Sequence, residues 1–220
     1  MSRIKRILAL ILMLLVFVSG CDKTPADRGK ELNSIISNFN LVETSGYDLI
    51  STQYKQEVLV NSDTINCRVD KDEGLKAYVD KTTVRLNQLE LNSTEKYISE
   101  NVCIFFKDNS YKLENGSGWT ECNINETLIL DFKLYVGLLN KSEFDFSENE
   151  VNSFYKATYS ELTINYNEKT YVVNDFNLTF TVEKETSKIL AMNLSYVLDG
   201  SNCNIDITVL YNKQTVILPE

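Results

Sequence analysis

Residues 178–220, LTFTVEKETSKILAMNLSYVLDGSNCNIDITVLYNKQTVILPE, decide the fold. Their apolar and β-branched side chains recur at every second position, the period of a strand with one buried face. Two clusters of turn formers, Lys184–Ser187 and Asp199–Asn202, interrupt the alternation. The second contains Asp199-Gly200, a dipeptide that closes two-residue hairpins because both residues tolerate positive φ. The stretch reads as strands at Phe176–Val182, Ile189–Leu198, Cys203–Tyr211 and Thr215–Leu218, joined as antiparallel neighbours.

The same pattern extends towards the N-terminus. Strands are predicted at Phe154–Thr163 and Thr170–Val173, with a turn over Asn165–Lys169 and a polar loop over Asn140–Asn152. Further back, alternation begins at Tyr47 and gives strands at Gln53–Val60, Thr64–Val69, Leu75–Val79 and Thr82–Leu91, with Asn61-Ser62-Asp63 as a turn. A tight meander follows over Tyr97–Lys107, Tyr111–Glu114 and Gly118–Cys122, with the single tryptophan, Trp119, on its last strand. Asp70, Asp72 and Glu73 lack the other spaced ligands of a calcium loop and read as a solvated turn.

Two segments carry the helical period instead. Leu32, Ile35, Ile36 and Phe39 form one stripe within Glu31–Asn40. In Glu126–Leu139, Leu128, Phe132, Val136 and Leu139 share a face, while Ile129, Leu130 and Tyr135 spread around it. A helix apolar on several sides needs cover on several sides. It is either a core helix lying on the sheet or a lid, with Leu128, Phe132 and Val136 over a ligand cavity.

The first 21 residues set the location. Arg3, Lys5 and Arg6 precede an uncharged run, Ile7–Val18, too short to span a bilayer permanently and typical of a cleaved signal. Val18-Ser19-Gly20-Cys21 resembles the lipobox of bacterial lipoproteins, which implies cleavage between Gly20 and Cys21 and a diacylglyceryl group on the Cys21 thiol. The expected organisation is a signal over 1–20, a lipid-anchored tether over 21–30 and one β-rich domain over 31–220. Cleavage would remove three of the 22 basic residues and none of the 31 acidic ones, leaving a net charge of −12. That charge disfavours nucleic acid and a second electrostatic hold on anionic lipid. The expected location is the extracytoplasmic face of a cell membrane, with the Cys21 lipid as the contact and any envelope protein partner unidentified.

The chain has no histidine, so the usual general base and the commonest metal ligand are missing. No catalytic motif, metal site or cofactor site is predicted, and the protein reads as a non-enzyme. Cys67, Cys103, Cys122 and Cys203 each fall in or beside a predicted strand. Outside the membrane, four cysteines suit two disulfides, and buried free thiols suit the same positions equally.

The segment 178–220, with its KETSKI turn at 184–189, Asp199-Gly200 hairpin and VILPE ending, is similar to the end of bacterial lipoproteins related to the LolA and LppX/LprG-type lipid carriers. IFFKDNSYKLENGSGWTE, residues 104–121, resembles their central meander. The resemblance implies a mainly β fold, a strongly curved antiparallel half-barrel covered by one or two short helices, whose concave face can hold a lipid or other hydrophobic ligand. The alternative is a surface module binding an envelope protein or wall polymer without a small ligand.

Overall fold

The computed structural model describes residues 23–216 apart from 71–75, 87–93, 106–109, 114–118, 123–129, 140–142 and 167. Helix α1 (Pro25–Asn38) leads through a 3₁₀ turn (Leu41–Glu43) into strands β1 (Gly46–Lys55), β2 (Val58–Asp70), β3 (Lys76–Leu86), β4 (Thr94–Phe105), β5 (Ser110–Leu113) and β6 (Trp119–Cys122). Helix α2 (Phe132–Val136) precedes β7 (Asp145–Glu148), β8 (Asn152–Tyr166), β9 (Lys169–Glu183), β10 (Ile189–Leu198) and β11 (Ser201–Leu210). The strands form one open, curved antiparallel sheet ordered β6-β5-β4-β3-β2-β1-β11-β10-β9-β8-β7. Two meanders therefore meet where β1 pairs with β11, Tyr47 facing Val209.

Cross-strand register explains why one face is the core. Ile65, Leu49, Ile207, Met192, Phe180, Tyr155 and Phe146 lie opposite one another in turn, an apolar row across seven strands. One residue along, Ile50, Asp206, Asn193, Thr179, Lys156 and Asp145 form the corresponding row on the other face. That row is polar apart from Ile50, and Asn193 Nδ2 donates to Asp206 Oδ1 at 2.6 Å. Period-two side-chain alternation turns one sequence pattern into an apolar layer on one face and a polar one on the other.

Burial changes phase along β8 and β9. Tyr155 and Ala157 are buried early in β8, then Leu162 and Ile164. In β9, Phe176, Leu178, Phe180 and Val182 give way to Val173. The ladder skips the Ser160–Asp175 pair, and Asp175 is left-handed at φ 51°. Each strand spends one residue at this irregularity, so the register is kept while the buried side switches.

Several sequence expectations are corrected. The first hairpin turns at Gln56–Glu57, with φ of 49° and 65°, and β2 runs straight through Asn61-Ser62-Asp63. Two successive left-handed residues suit a two-residue hairpin, and neither Gln nor Glu announces one. Leu75–Val79 and Thr82–Leu91 contain one strand, β3, that continues through Asp80 and Lys81. β9 likewise joins the two strands expected at Thr170–Val173 and Phe176–Val182. β7 lies in the predicted loop, and Thr215 and Val216 are not in a strand. Asp70 is buried and accepts from Val216 N at 3.2 Å, so it receives the C-terminal segment and does not sit in a solvated turn.

Helix α1 starts six residues before the predicted Glu31, inside the stretch read as tether. Thr24 Oγ1 accepts from Asp27 N at 3.2 Å, Asp27 reaches back to Thr24, and Pro25 occupies the first helical position. This capping box fixes the start where the apolar stripe alone could not. Leu32 and Ile36, one turn apart, are buried against the sheet.

Candidate functional site

At the end of the sheet where β11 finishes and β10 begins, the C-terminal half of α1 and the β9–β10 turn enclose a cleft of about 580 Å³. Ile35 and Phe39 supply its apolar wall from α1, and Ile189 and Tyr211 supply the sheet side. Ser34 and Lys188 stand at its polar margin. The stripe predicted on the first helix therefore divides its work: Leu32 and Ile36 fill the core, while Ile35 and Phe39 face the cleft.

The cleft is held rigidly on both sides. Tyr211 Oη donates to Ile189 O at 2.9 Å, and the Lys188 ammonium lies over the Tyr211 ring at 4.9 Å. Burial pushes the Tyr211 hydroxyl up to about 12, with Glu183 adding to the shift, so it remains a neutral donor. Thr44 Oγ1 donates to Leu41 O at 2.7 Å and accepts from Gly46 N at 3.1 Å, which locks the turn entering β1. Glu31, also lining the cleft, pairs with Lys23 and Arg28, each at 3.0 Å. Partial burial works to raise the Glu31 pKa, but the two cations outweigh it and hold the carboxyl below its ordinary value.

Phe132 and Val136 are elsewhere. Helix α2 spans five residues, its N-cap Asp131 extended and accepting from Lys133 N at 2.9 Å, so the expected helix does not run through Asp131, and its residues 126–129 lie outside the described residues. Phe132 is 1% exposed, with its ring edge-on to Phe39 at 4.8 Å and to Phe180 at 5.6 Å. Val136 is buried in the same cluster. These two side chains occupy a filled core and do not line the cleft; Leu128 lies outside the described residues. No described helix is long and apolar enough to cross a membrane. Gly20 and Cys21 also lie outside the described residues.

Cys67 and Cys203 are buried free thiols. Cys67 lies opposite Tyr47 and Cys203 opposite Gln53, six residues apart along β1 or roughly 20 Å at the rise of a strand. Cys103 and Cys122 fall on β4 and β6. No two of the four strands involved are neighbours in the sheet. At about 4.8 Å per strand the backbones stand at least roughly 9.5 Å apart, beyond the ~6.8 Å that a disulfide spans. For Cys67 and Cys203 this corrects the paired-cysteine reading. Burial pushes the Cys67 thiol up to about 12 and raises that of Cys203.

Lys188 and Tyr211 carried no sequence signal for a site. They line the cleft with α1 residues nearly 150 or more positions away, and only the folded sheet brings them together.

No family model matches the chain, and no curated protein matches it. Among solved structures, the chain is similar to the crystal structure of LprF from Mycobacterium bovis at 12% identity and a TM-score of 0.46, over 90% of this chain and 99% of that one. No residue role, ligand or partner is carried over from it.

Proposed function

We propose that the protein is an envelope lipoprotein, anchored through Cys21 on the extracytoplasmic face, whose half-barrel takes up a lipid or other hydrophobic ligand and performs no chemistry on it. The observation that carries the reading is the cleft of about 580 Å³ between α1 and the sheet rim. Its volume falls within the roughly 300–1,000 Å³ of small-molecule sites. Apolar walls would take an acyl or alkyl body, and Lys188, Ser34 and the wetted margin would take a polar end.

The test is titration of a fluorescent fatty acid into a soluble form beginning at Lys23. Saturable uptake, weakened at least tenfold by Ser34→Trp, is expected, because Ser34 is exposed on α1 and an indole there fills the cleft without entering the core. Absence of uptake by the parent protein would end this reading. The filled core around Phe132 favours a second one, a surface module that binds an envelope protein or wall polymer. Specific crosslinking of one protein in cells, undiminished by Ser34→Trp, would support that alternative.

A further inference from the structure

Ordered contacts begin almost at the lipidation site. Lys23 Nζ pairs with Glu31 at 3.0 Å, and the capping box starts at Thr24. Pro25 O accepts from Phe144 N at 3.1 Å, which ties the first turn of α1 to the entrance of β7. Arg28 pairs with Glu31 at 3.0 Å and lies over the Phe146 ring at 3.4 Å, which ties the second turn to β7 itself. Between Cys21 and Lys23 there are two peptide links, which reach about 7 Å at full extension.

An anchor that short leaves the body little freedom to turn. On the reading of Cys21 as the lipidated residue, we infer that β7 and the first two turns of α1 form the membrane-facing surface of the protein, with a lipid bilayer as the partner. The surface chemistry suits a headgroup layer. Lys23, Arg28 and Lys30 alternate with Asp27, Glu31 and Asp145, a mixed-charge patch that stays hydrated and does not insert. β7 is also an edge of the eleven-stranded sheet, four residues long. An edge strand offers unpaired backbone groups to any other strand. Apposition to headgroups shields that edge from pairing with neighbouring chains.

The arrangement also sets where the cleft stands. The cleft runs along the C-terminal half of α1 from Glu31 onward, so it begins about 9 Å from Pro25 at 1.5 Å per residue and extends away from the anchored end. The tip of the β8–β9 hairpin points elsewhere. Asp145 pairs with Lys156 and Val172 with Thr163, so Val172 lies seven residues farther along β8, about 23 Å from the anchored region.

The experiment uses the full lipidated chain, purified from bacterial membranes and reconstituted in phosphatidylglycerol/phosphatidylcholine vesicles containing dansyl-phosphatidylethanolamine. Single tryptophans are placed at exposed positions by Glu143→Trp or Val172→Trp in a Trp119→Phe background, or with the Trp119 emission subtracted if that background fails to fold. Flotation with the vesicles comes first. A chain that does not float overturns the Cys21 reading and the orientation with it. For a floating chain, energy transfer to dansyl is expected to be at least threefold greater from position 143 than from position 172. Equal transfer, or greater transfer from 172, overturns the orientation and leaves the anchor standing.

Discussion

Phe132→Ala separates a packed core from a lid over an empty space. The ring is 1% exposed and meets Phe39 at 4.8 Å and Phe180 at 5.6 Å, both edge-on. Removing it forfeits about 2 kcal/mol of apolar burial. If the surroundings collapse only in part and leave roughly 60 Å³, the cavity adds about 1.5 kcal/mol at 24 cal/mol per Å³. The two ring contacts, each ~0.5–1.5 kcal/mol and partly contained in the burial, bring the expected loss to about 3–5 kcal/mol. Urea unfolding of the soluble form, followed by circular dichroism, measures it. Leu134→Ala is the control, since Leu134 is on the same helix but 58% exposed, and it should cost under about 0.5 kcal/mol. A loss below about 1 kcal/mol for Phe132→Ala would refute the filled core, as would recovery of most of the loss on adding fatty acid.

Gly46→Ala should prevent folding or cost at least about 3 kcal/mol, because the new Cβ would lie 2.0 Å from Cys67 O at φ +125°; expression and thermal melting check it, and a normal melt contradicts the close approach of β1 to β2. All four cysteines of the soluble form should react with maleimide in denaturant without reductant, while Cys67 and Cys203 resist it in the native state; intact mass showing fewer than four adducts after unfolding would restore a disulfide. The Glu31 carboxyl has a folded pKa below its ordinary 4.5, so its contribution is complete above about 4.5 and is lost as pH falls through the lower folded value. Glu31→Gln should therefore flatten the acid limb of a stability–pH profile by at most about 1 kcal/mol, since the pair is partly exposed; an unchanged limb would show that the Lys23–Glu31–Arg28 cluster contributes nothing.

The second half of the sheet was legible because local and tertiary signals agree there. Alternation from Phe176 to Tyr211 matches the buried face, and Asp199 and Gly200 take the positive φ of 49° and 72° that their type favours. The first half misled where propensity and pairing disagree. Asn61-Ser62-Asp63 has turn chemistry, but pairing with Gln53, Thr52 and Ser51 holds it in β2, and the actual turn falls on Gln56–Glu57. β7 is too short and too acidic to show alternation. The start of α1 lay in the Thr24/Asp27 capping box, a signal present in the sequence but masked by the polar composition around it. Phe39 was legible as a stripe residue, whereas its role as a cleft wall depends on Ile189 and Tyr211, which no local pattern links to it.

The central claim is that the cleft beside α1 holds a hydrophobic ligand. Native mass spectrometry of the soluble form, expressed in bacteria and purified without detergent, tests it most directly. The account predicts a population carrying an additional mass of lipid size that organic extraction removes and that is lost in Ser34→Trp. Bare polypeptide mass alone in repeated preparations, with no uptake when lipid extract is added back, would contradict it.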